Sequence, residues 1–451
     1  MPITRPRAVA LCTALLLSGA GLVTGQSPAS AATVVDTVDD ELVVDGDCSL
    51  REAIEANNTA LPYDACLPSA VIELPPGDYP VQFTLDIGTG TTLQGSGADQ
   101  TRLVCTSVVT CIVNSSAGGP LVVDSLSMVD VQGEFIVGLM ASGPLTVSNS
   151  VLDGSDDGAI DMANNTVRVV DSEVRGYVTA GIEIDAGRVE IERSLLEASA
   201  NAGVASASAP VIVDHSTIRG HLGHAVVSET GAVEVLSSTI ADNDDHGLVT
   251  ASGDVLVRSS TLVGNGGNAV NTLSGDLAFE WATVVDNGGR ALNYSGASTA
   301  TVTGSIFAND SENCDNPVTS GGYNISDDEW CAGSFTDPTD QNETDPQLGP
   351  VGANGGLTAT AVPLSGSPAI DVGGPCPGTD QRDLARPADG DADGDARCDA
   401  GAVEVAVAEV PPPGEDPDPE GPTPTTPTTP TTTPRPTGVD APVVARPTFT
   451  G

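Results

Sequence analysis

The chain has no lysine. All 16 of its basic residues are arginine, set against 62 acids, so its 451 residues carry a formal charge of −46. A surface this acidic disfavours nucleic acid, anionic lipid and polyuronate chains as partners. Divalent cations, basic partners and neutral glycans stay open. Aromatic residues make up only 3%, which leaves few platforms for stacked bases or sugar rings. Beyond the first thirty residues no segment approaches the ~18 consecutive apolar residues of a membrane-spanning helix. There is no C-x-x-C pair and no histidine cluster, so zinc ligation has no support.

What is present begins with Arg5 and Arg7, an apolar run over Ala8–Leu17, and Ala29-Ser30-Ala31. A charged start, a short apolar core and a small-x-small site predict a secretory signal peptide over residues 1–31. The mature protein is therefore expected outside the cytosol, soluble and with no transmembrane segment. Losing the two arginines with the leader takes its charge to −48. Cys12 would leave as well, and the other eight cysteines fall as Cys48/Cys66, Cys105/Cys111, Cys314/Cys331 and Cys376/Cys398. Eight cysteines allow ~105 connectivities; in a rigid scaffold, pairing between these neighbours is the expectation.

The stretch from Leu145 to Ser305 is a repeat. Ser150, Ser172, Ser194, Ser216, Ser238 and Ser260 recur every 22 residues, and Ala282 and Gly304 continue the phase. Two residues after each lies an aliphatic: Leu152, Val174, Leu196, Ile218, Ile240, Leu262, Val284 and Ile306. A second column runs Ile160, Ile182, Val204, Val226, Leu248, Val270, Leu292; a third precedes the serines as pairs such as Val189/Ile191. One fixed period over many units means a solenoid. Short V-x-V alternations of β-branched residues make it a β-solenoid with about three strands per unit. A leucine-rich repeat shares the period range, but its L-x-x-L-x-L pattern is missing. Gly187, Gly231, Gly253 and Gly275, and Asn243, Asn265, Asn287 and Asn309, form corner columns suited to tight turns. Stacked asparagines can also bond to one another along the axis. The fold class is all-β: a right-handed parallel β-helix of 22-residue coils spanning residues 71–335.

Residues 32–70 are expected to cap its start. Ser49 and Glu52 form a capping box, and Leu50, Ala53, Ile54 and Asn57 share one face of a short helix. Such a helix hides the open strand edge. Residues 336–405 are expected as a C-terminal cap. From about Pro411 the Pro-Thr repeats cannot build a core, so residues 406–451 read as an extended, disordered stalk and a candidate for O-glycosylation. Arg446–Gly451 lacks the L-P-x-T-G spacing and hydrophobic tail of a wall-sorting signal.

Cys48-Ser49-Leu50-Arg51-Glu52-Ala53 resembles, nearly letter for letter, the CSLREA motif of secreted bacterial proteins. Asp345–Pro350, Asn354–Gly356, Gly366–Asp371, Asp380-Gln381-Arg382 and Cys398–Glu404 together resemble the choice-of-anchor Q domain, a β-helix-associated module of bacterial surface and secreted proteins. Val71–Tyr79 and Thr91–Gly97 resemble the opening coils of pectin-lyase-like β-helices. The resemblance implies fold and location, and brings no shared catalytic residues.

Two charged strips are candidates for chemistry. Asp242–His246 holds Asp244, Asp245 and His246, with His221 and His224 one coil earlier. His224 and His246 share a phase and should stack about 4.8 Å apart. Glycoside hydrolysis needs two carboxylates about 5–9.5 Å apart, which Asp244 and Asp245 could supply, tuned by the histidines. Because Asn243 belongs to the corner ladder, these aspartates are expected in a solvated turn. A lyase would need a calcium-binding acidic cluster and a base; lysine is unavailable for the latter. In the second strip, Asp389, Asp391, Asp393 and Asp395 have the D-x-D-x-D-G spacing of an oxygen cage for calcium. Ala400 stands where an EF-hand places glutamate, so Asp399 or a carbonyl would complete the shell. The alternative is a solvated acidic turn closed by Cys376–Cys398. The leading expectation is a secreted, surface-associated monomer, without a catalytic site, that binds an extracellular glycan or protein or acts structurally; its attachment to the cell wall stays open. The alternative is a polysaccharide hydrolase or lyase acting through Asp244, Asp245, His246 and His224.

Overall fold

The structure, a computed structural model, describes residues 31–105, 110–115, 119–138, 142–295, 298–309, 311–314 and 316–407. Residues 1–30 of the expected leader and 408–451 of the expected stalk lie outside these.

Each repeat forms three short strands, and successive coils pair parallel and in register to give a right-handed parallel β-helix. The first sheet has thirteen strands, from Thr33–Val34 to Thr319–Ser320, and carries the paired valines. The second has twelve, from Gly77–Pro80 to Ile325–Ser326, and follows the serines. The third has ten, from Leu85–Ile87 to Leu292–Tyr294. Side chains alternate across a strand, so one set per sheet points inward. Leu152, Val174, Leu196, Ile218, Ile240, Leu262 and Val284 are each 0% exposed and stack partner on partner. Ile160 through Leu292 do the same in the third sheet.

The corners explain the polar columns. Between the first and second sheets a left-handed residue turns the chain: Asp171, Arg193, His215, Ser237, Ser259 and Trp281 all have positive φ. At every one of these but Trp281, which Ala282 follows, the next residue is a serine that holds the corner. Ser216 Oγ donates to the Asp214 carbonyl at 2.7 Å and accepts the Ser194 N–H at 3.0 Å, linking coil to coil. Between the second and third sheets Asn243, Asn265, Asn287 and Asn309 form the expected ladder, with side-chain bonds of 2.7–2.8 Å. At the third turn a Cβ on Gly253 would collide with the Gly231 carbonyl, so stacked glycines let these backbones approach.

The coils before Leu145 are irregular, with Leu93 paired to Val123 and Val123 to Val147, and the regular phase slips at the end of the repeat. Val284 pairs with Phe307, and the Ser305 hydroxyl accepts the Ala282 N–H, so Phe307 and Ser305 occupy the places expected of Ile306 and Gly304. One residue more separates Tyr294 from Ala300 than separates Thr272 from Leu277. Gly304 takes the left-handed corner instead, packed on Trp281.

Helix α1 (Leu50–Thr59) starts at the expected capping box, with Glu52 Oε2 accepting the Ser49 N–H at 3.0 Å. It buries Leu50, Ala53, Ile54 and Ala56 against the first coil. Arg51 bonds Asp40 at 2.7 Å and reaches the Phe83 and Thr84 carbonyls, so Arg51 and Glu52 tie the helix down. The four disulfides join the neighbouring cysteines: Cys48–Cys66, Cys105–Cys111, Cys314–Cys331 and Cys376–Cys398. At the far end Phe279, Phe307 and Phe335 pack ring to ring, with centroids 5.5 and 5.9 Å apart. Residues 336–405, expected as a cap, return along the side of the solenoid and cover the outer face of the second sheet's later coils.

Candidate functional site

The outer face of the second sheet has two columns. One runs Glu173, Leu195, Thr217, Thr239, Thr261, Thr283; the other runs Arg175, Glu197, Arg219, Ala241, Val263, Val285. Midway, charged side chains give way to threonine and small aliphatics. The small aliphatics pack against Ala369 and Ala400 of the returning segment. The threonines hold that segment by hydrogen bonds. Thr239 Oγ1 donates to the Ala359 carbonyl at 2.6 Å, and Thr261 Oγ1 donates to Gln381 Oε1 at 2.6 Å. Gln381 Nε2 donates to Thr239 Oγ1 at 2.9 Å, and the Ala402 N–H donates to Thr283 Oγ1 at 2.8 Å.

The segment has almost no regular structure, and buried charges organise it instead. Asp380 accepts from Arg382 at 2.7 Å and from the Glu404 and Leu384 N–H groups. Arg386 donates to the Asp399 and Gly401 carbonyls, lies 3.5 Å from Glu404 and sits over the Trp281 ring at 5.4 Å. Burial pushes the Asp399 carboxyl up to about 7, against the pull of the Asp371 and Val405 N–H groups. Gln381 thus attaches the segment to the sheet, while Arg382, Asp399 and Glu404 hold the segment's own turns together.

Where the covering segment stops, a groove of about 890 Å³ opens over the second sheet. Its floor is Glu173, Leu195, Thr217 and Thr239, and its roof runs from Val351 to Ala359. The corner residues Asp171, Arg193 and His215 edge one side. The charges there are mutually engaged: Arg193 with Asp171 at 2.8 Å, Arg219 with Glu197 at 2.7 Å, and Arg175 with Glu173 at 2.7 Å. The Arg193 guanidinium holds the Asp171 carboxyl below its ordinary range. His215 bridges Asp214 at 2.8 Å and Asp383 of the covering segment at 3.0 Å. Burial alone would lower its pKa, but the bond to Asp383 and the charges of both aspartates outweigh this and raise it.

A pH dependence follows. A histidine with a raised folded pKa stabilises fully below its unfolded value, about 6.5, and the gain is lost as pH rises through the folded value. His215→Gln should therefore melt below wild type at pH 5.5, by about 1 kcal/mol or less. The gap should close by pH 8.5. Equal gaps at both pH values would refute the ion-pair role.

The expected Asp/His strip is only partly assembled. His224 and His246 stack with centroids 5.4 Å apart and planes 4° from parallel. Asp245 lies 3.6 Å from His246 Nε2 and 3.8 Å from His224 Nδ1. Both Asp244 and Asp245 are exposed on the turn. The His246 Nδ1 accepts the Asn268 N–H at 2.7 Å, and the His224 Nδ1 accepts the His246 N–H at 3.2 Å. In both rings Nδ1 is thus engaged by a backbone N–H of the next coil. His221 does not join the strip. It is 0% exposed, its Nδ1 accepts the Ser199 N–H at 3.2 Å, and its own N–H donates to Asn243 Oδ1, making it a rung of the asparagine ladder. Burial lowers its pKa to about 4.

The acidic loop also differs from the expected cage. Asp389 and Asp391 come together with Asp371, oxygen atoms within 4.8 Å of one another. Asp393 and Asp395 are exposed outside this group, and Asp395 pairs with Arg397 at 2.6 Å. Asp399 points away, accepting the Asp371 N–H at 2.7 Å. Sequence reasoning missed the threonine column and the groove. Their signal was the change in outward residues, at the same 22-residue spacing, from Arg219 to Ala241.

Residues 158–307 match the family model of the right-handed β-helix region. Among solved structures, the chain is similar to the A-module of a mannuronan C-5 epimerase from Azotobacter vinelandii, at 13% identity over 67% of this chain and 92% of that one, TM-score 0.49. It is similar to the catalytic unit of a thermostable α-1,3-glucanase from Streptomyces thermodiastaticus, at 16% identity over 66% and 64%, TM-score 0.47. The surface adhesin PfbA of Streptococcus pneumoniae is similar at 11% identity over 65% and 85%, TM-score 0.29. Likeness at this level assigns no chemistry. No curated protein sequence matches the chain.

Proposed function

We propose that the mature protein works outside the cytosol as a non-catalytic binding module, with the groove over the second sheet as its binding surface. The carrying observation is that groove's make-up. It is open and mixed polar and apolar, and Asp171, Glu173, Arg193 and Arg219 are already locked in ion pairs. A glycosidase needs one carboxyl kept protonated and a second one facing it; Asp171 is instead held ionised by Arg193. The reading agrees with the resemblance to the CSLREA and choice-of-anchor Q proteins, with a cleaved leader over residues 1–31, and with a surface location for a monomer. The test pairs immobilised glycan and peptide arrays with a reducing-sugar assay on a polysaccharide panel. Ligand retention without product supports the module. Sugar release that disappears in Asp245→Asn would replace it with the hydrolase reading.

Calcium is the one cofactor proposed, at Asp371, Asp389 and Asp391. All three offer hard oxygen ligands, and like charges so close repel one another unless a cation neutralises them. Binding to the folded form alone stabilises by mass action, about 2.7 kcal/mol at a hundred times the dissociation constant. Millimolar calcium should raise the melting temperature, chelation should reverse it, and Asp391→Asn should abolish the response. A calorimetric titration without heat would leave the loop as a solvated turn.

A further inference from the structure

We infer that the groove's ligand is an extended, uncharged polypeptide segment, laid across the second sheet on Thr217 as the chain's own covering segment is laid on Thr239, Thr261 and Thr283. The inference rests on the groove being the binding surface.

The threonine column is a continuous track. Thr217 pairs in register with Thr239, Thr239 with Thr261, and Thr261 with Thr283. Three rungs of this track are occupied, and they show the chemistry of the occupant. Each hydroxyl takes part in a bond to peptide-type groups: the Ala359 carbonyl, the Gln381 side-chain amide and the Ala402 N–H. The side chains packed beside them are uncharged and apolar: Ala369 and Ala400, with Leu348 and Val372, against Ala241, Val263 and Val285. Thr217 is the next rung. It lines the groove, and its hydroxyl has no hydrogen-bond partner among the described residues. A threonine hydroxyl both donates and accepts, so Thr217 can meet a backbone carbonyl or N–H as its neighbours do.

The rest of the lining selects against other ligand classes. The lining includes no phenylalanine, tyrosine or tryptophan, so a sugar ring has no stacking platform. Arg193 and Arg219 are already paired with Asp171 and Glu197. An anionic chain would have to displace these carboxylates, and a cationic one the arginines; a neutral segment displaces neither. Leu195 on the floor and Val351 and Leu357 on the roof supply apolar contact for side chains. Leu357 is 65% exposed, so burying it beneath a ligand gains area.

The test uses the full chain and a labelled decapeptide reproducing residues 354–363, which contains the stretch seated on Thr239, together with an array of uncharged decapeptides. Fluorescence polarisation should show saturable binding by wild type. Thr217→Val, which removes only the hydroxyl, should weaken it by about threefold to tenfold. Thr217→Arg, which fills the track, should weaken it more than tenfold, with both variants melting as wild type does because position 217 faces outward. Absence of binding by every peptide, or affinity unchanged in Thr217→Arg, overturns the inference. If neutral oligosaccharides bind instead and lose affinity in Thr217→Arg, the groove remains the binding surface and the peptide class is wrong. Oligosaccharide turnover that depends on Asp245 would remove the binding-module reading as well.

Discussion

Ile240→Asp is expected to lose the cooperative thermal transition of the solenoid near its middle, at a cost of at least 4 kcal/mol, on the order of the largest single-site effects. Ile240 is 0% exposed and stacks between Ile218 and Leu262, themselves fully buried. A carboxylate there would have to be ionised without a partner or stay protonated at a cost in free energy, and both destabilise. Its own backbone is also in use, because the Ile240 carbonyl accepts from Asn265 Nδ2 at 3.3 Å. A shifted strand would therefore disturb the asparagine ladder too. Coils contact only their neighbours, so the damage should divide the stack into two separately melting parts. Val249→Asp is the control. Val249 lies on the next strand of the same coil but points outward and is half-buried, between Val227 and Asn271. It should cost well under half as much. Calorimetry of both variants decides the point, and similar losses at 240 and 249 would contradict the inward and outward assignment.

That assignment was legible because inward positions obey one rule in every coil. A β-branched or leucine side chain at each 22-residue step leaves a single register for most of the solenoid. The ambiguity at Ile306 and Phe307 shows where the rule ends. Both residues are apolar, Gly304 and Ser305 both suit a corner, and only the backbone pairing of Val284 with Phe307 separates the two registers. The left-handed corners at Arg193, His215 and Trp281 were illegible for another reason. They lack glycine or asparagine; at Arg193 and His215 the hydrogen bonds of the following serine hold the conformation, and after Trp281 the Ala282 N–H donates to Ser305 Oγ. His221 was legible and was misplaced. It lies 22 residues before Asn243, so its phase put it in the ladder, but proximity to the acidic run drew attention to the surface. The groove was the least accessible feature. It depends on where residues 336–405 land, and that is set by contacts such as Thr239 to Ala359 between residues 120 apart. The residue types at both ends are too ordinary to announce the pairing.

The landing of that segment should depend most on Arg386, and Arg386→Met is expected to release it while leaving the three sheets intact. Arg386 is 7% exposed and Glu404 2%. The guanidinium ties together the Asp399 and Gly401 carbonyls, the Glu404 carboxylate and the Trp281 ring. Asp380, Asp399 and Glu404 are all buried nearby, and Arg382 is engaged by Asp380. Without Arg386, Glu404 becomes a buried charge with only N–H donors for company, from Ala388 and Asp399. Breaking a buried pair from one side costs about 3–5 kcal/mol, most of it the desolvation of the charge left behind. The segment's apolar contact with the second sheet is modest, made by Ala369 and Ala400 with Leu348 and Val372 partly buried beside them. Limited proteolysis read by mass spectrometry should show cleavage within residues 336–405 of the variant, with the strands before them protected. The groove's roof, Val351 to Ala359, belongs to the released segment, so ligand retention should fall at the same time. Adding Glu404→Gln removes the stranded charge and keeps an acceptor for one of the two N–H groups, and should recover more than half of the lost stability. If Arg386→Met alone stays resistant, the threonine track holds the segment without its buried charges. Gln381→Ala would then be the substitution that frees it.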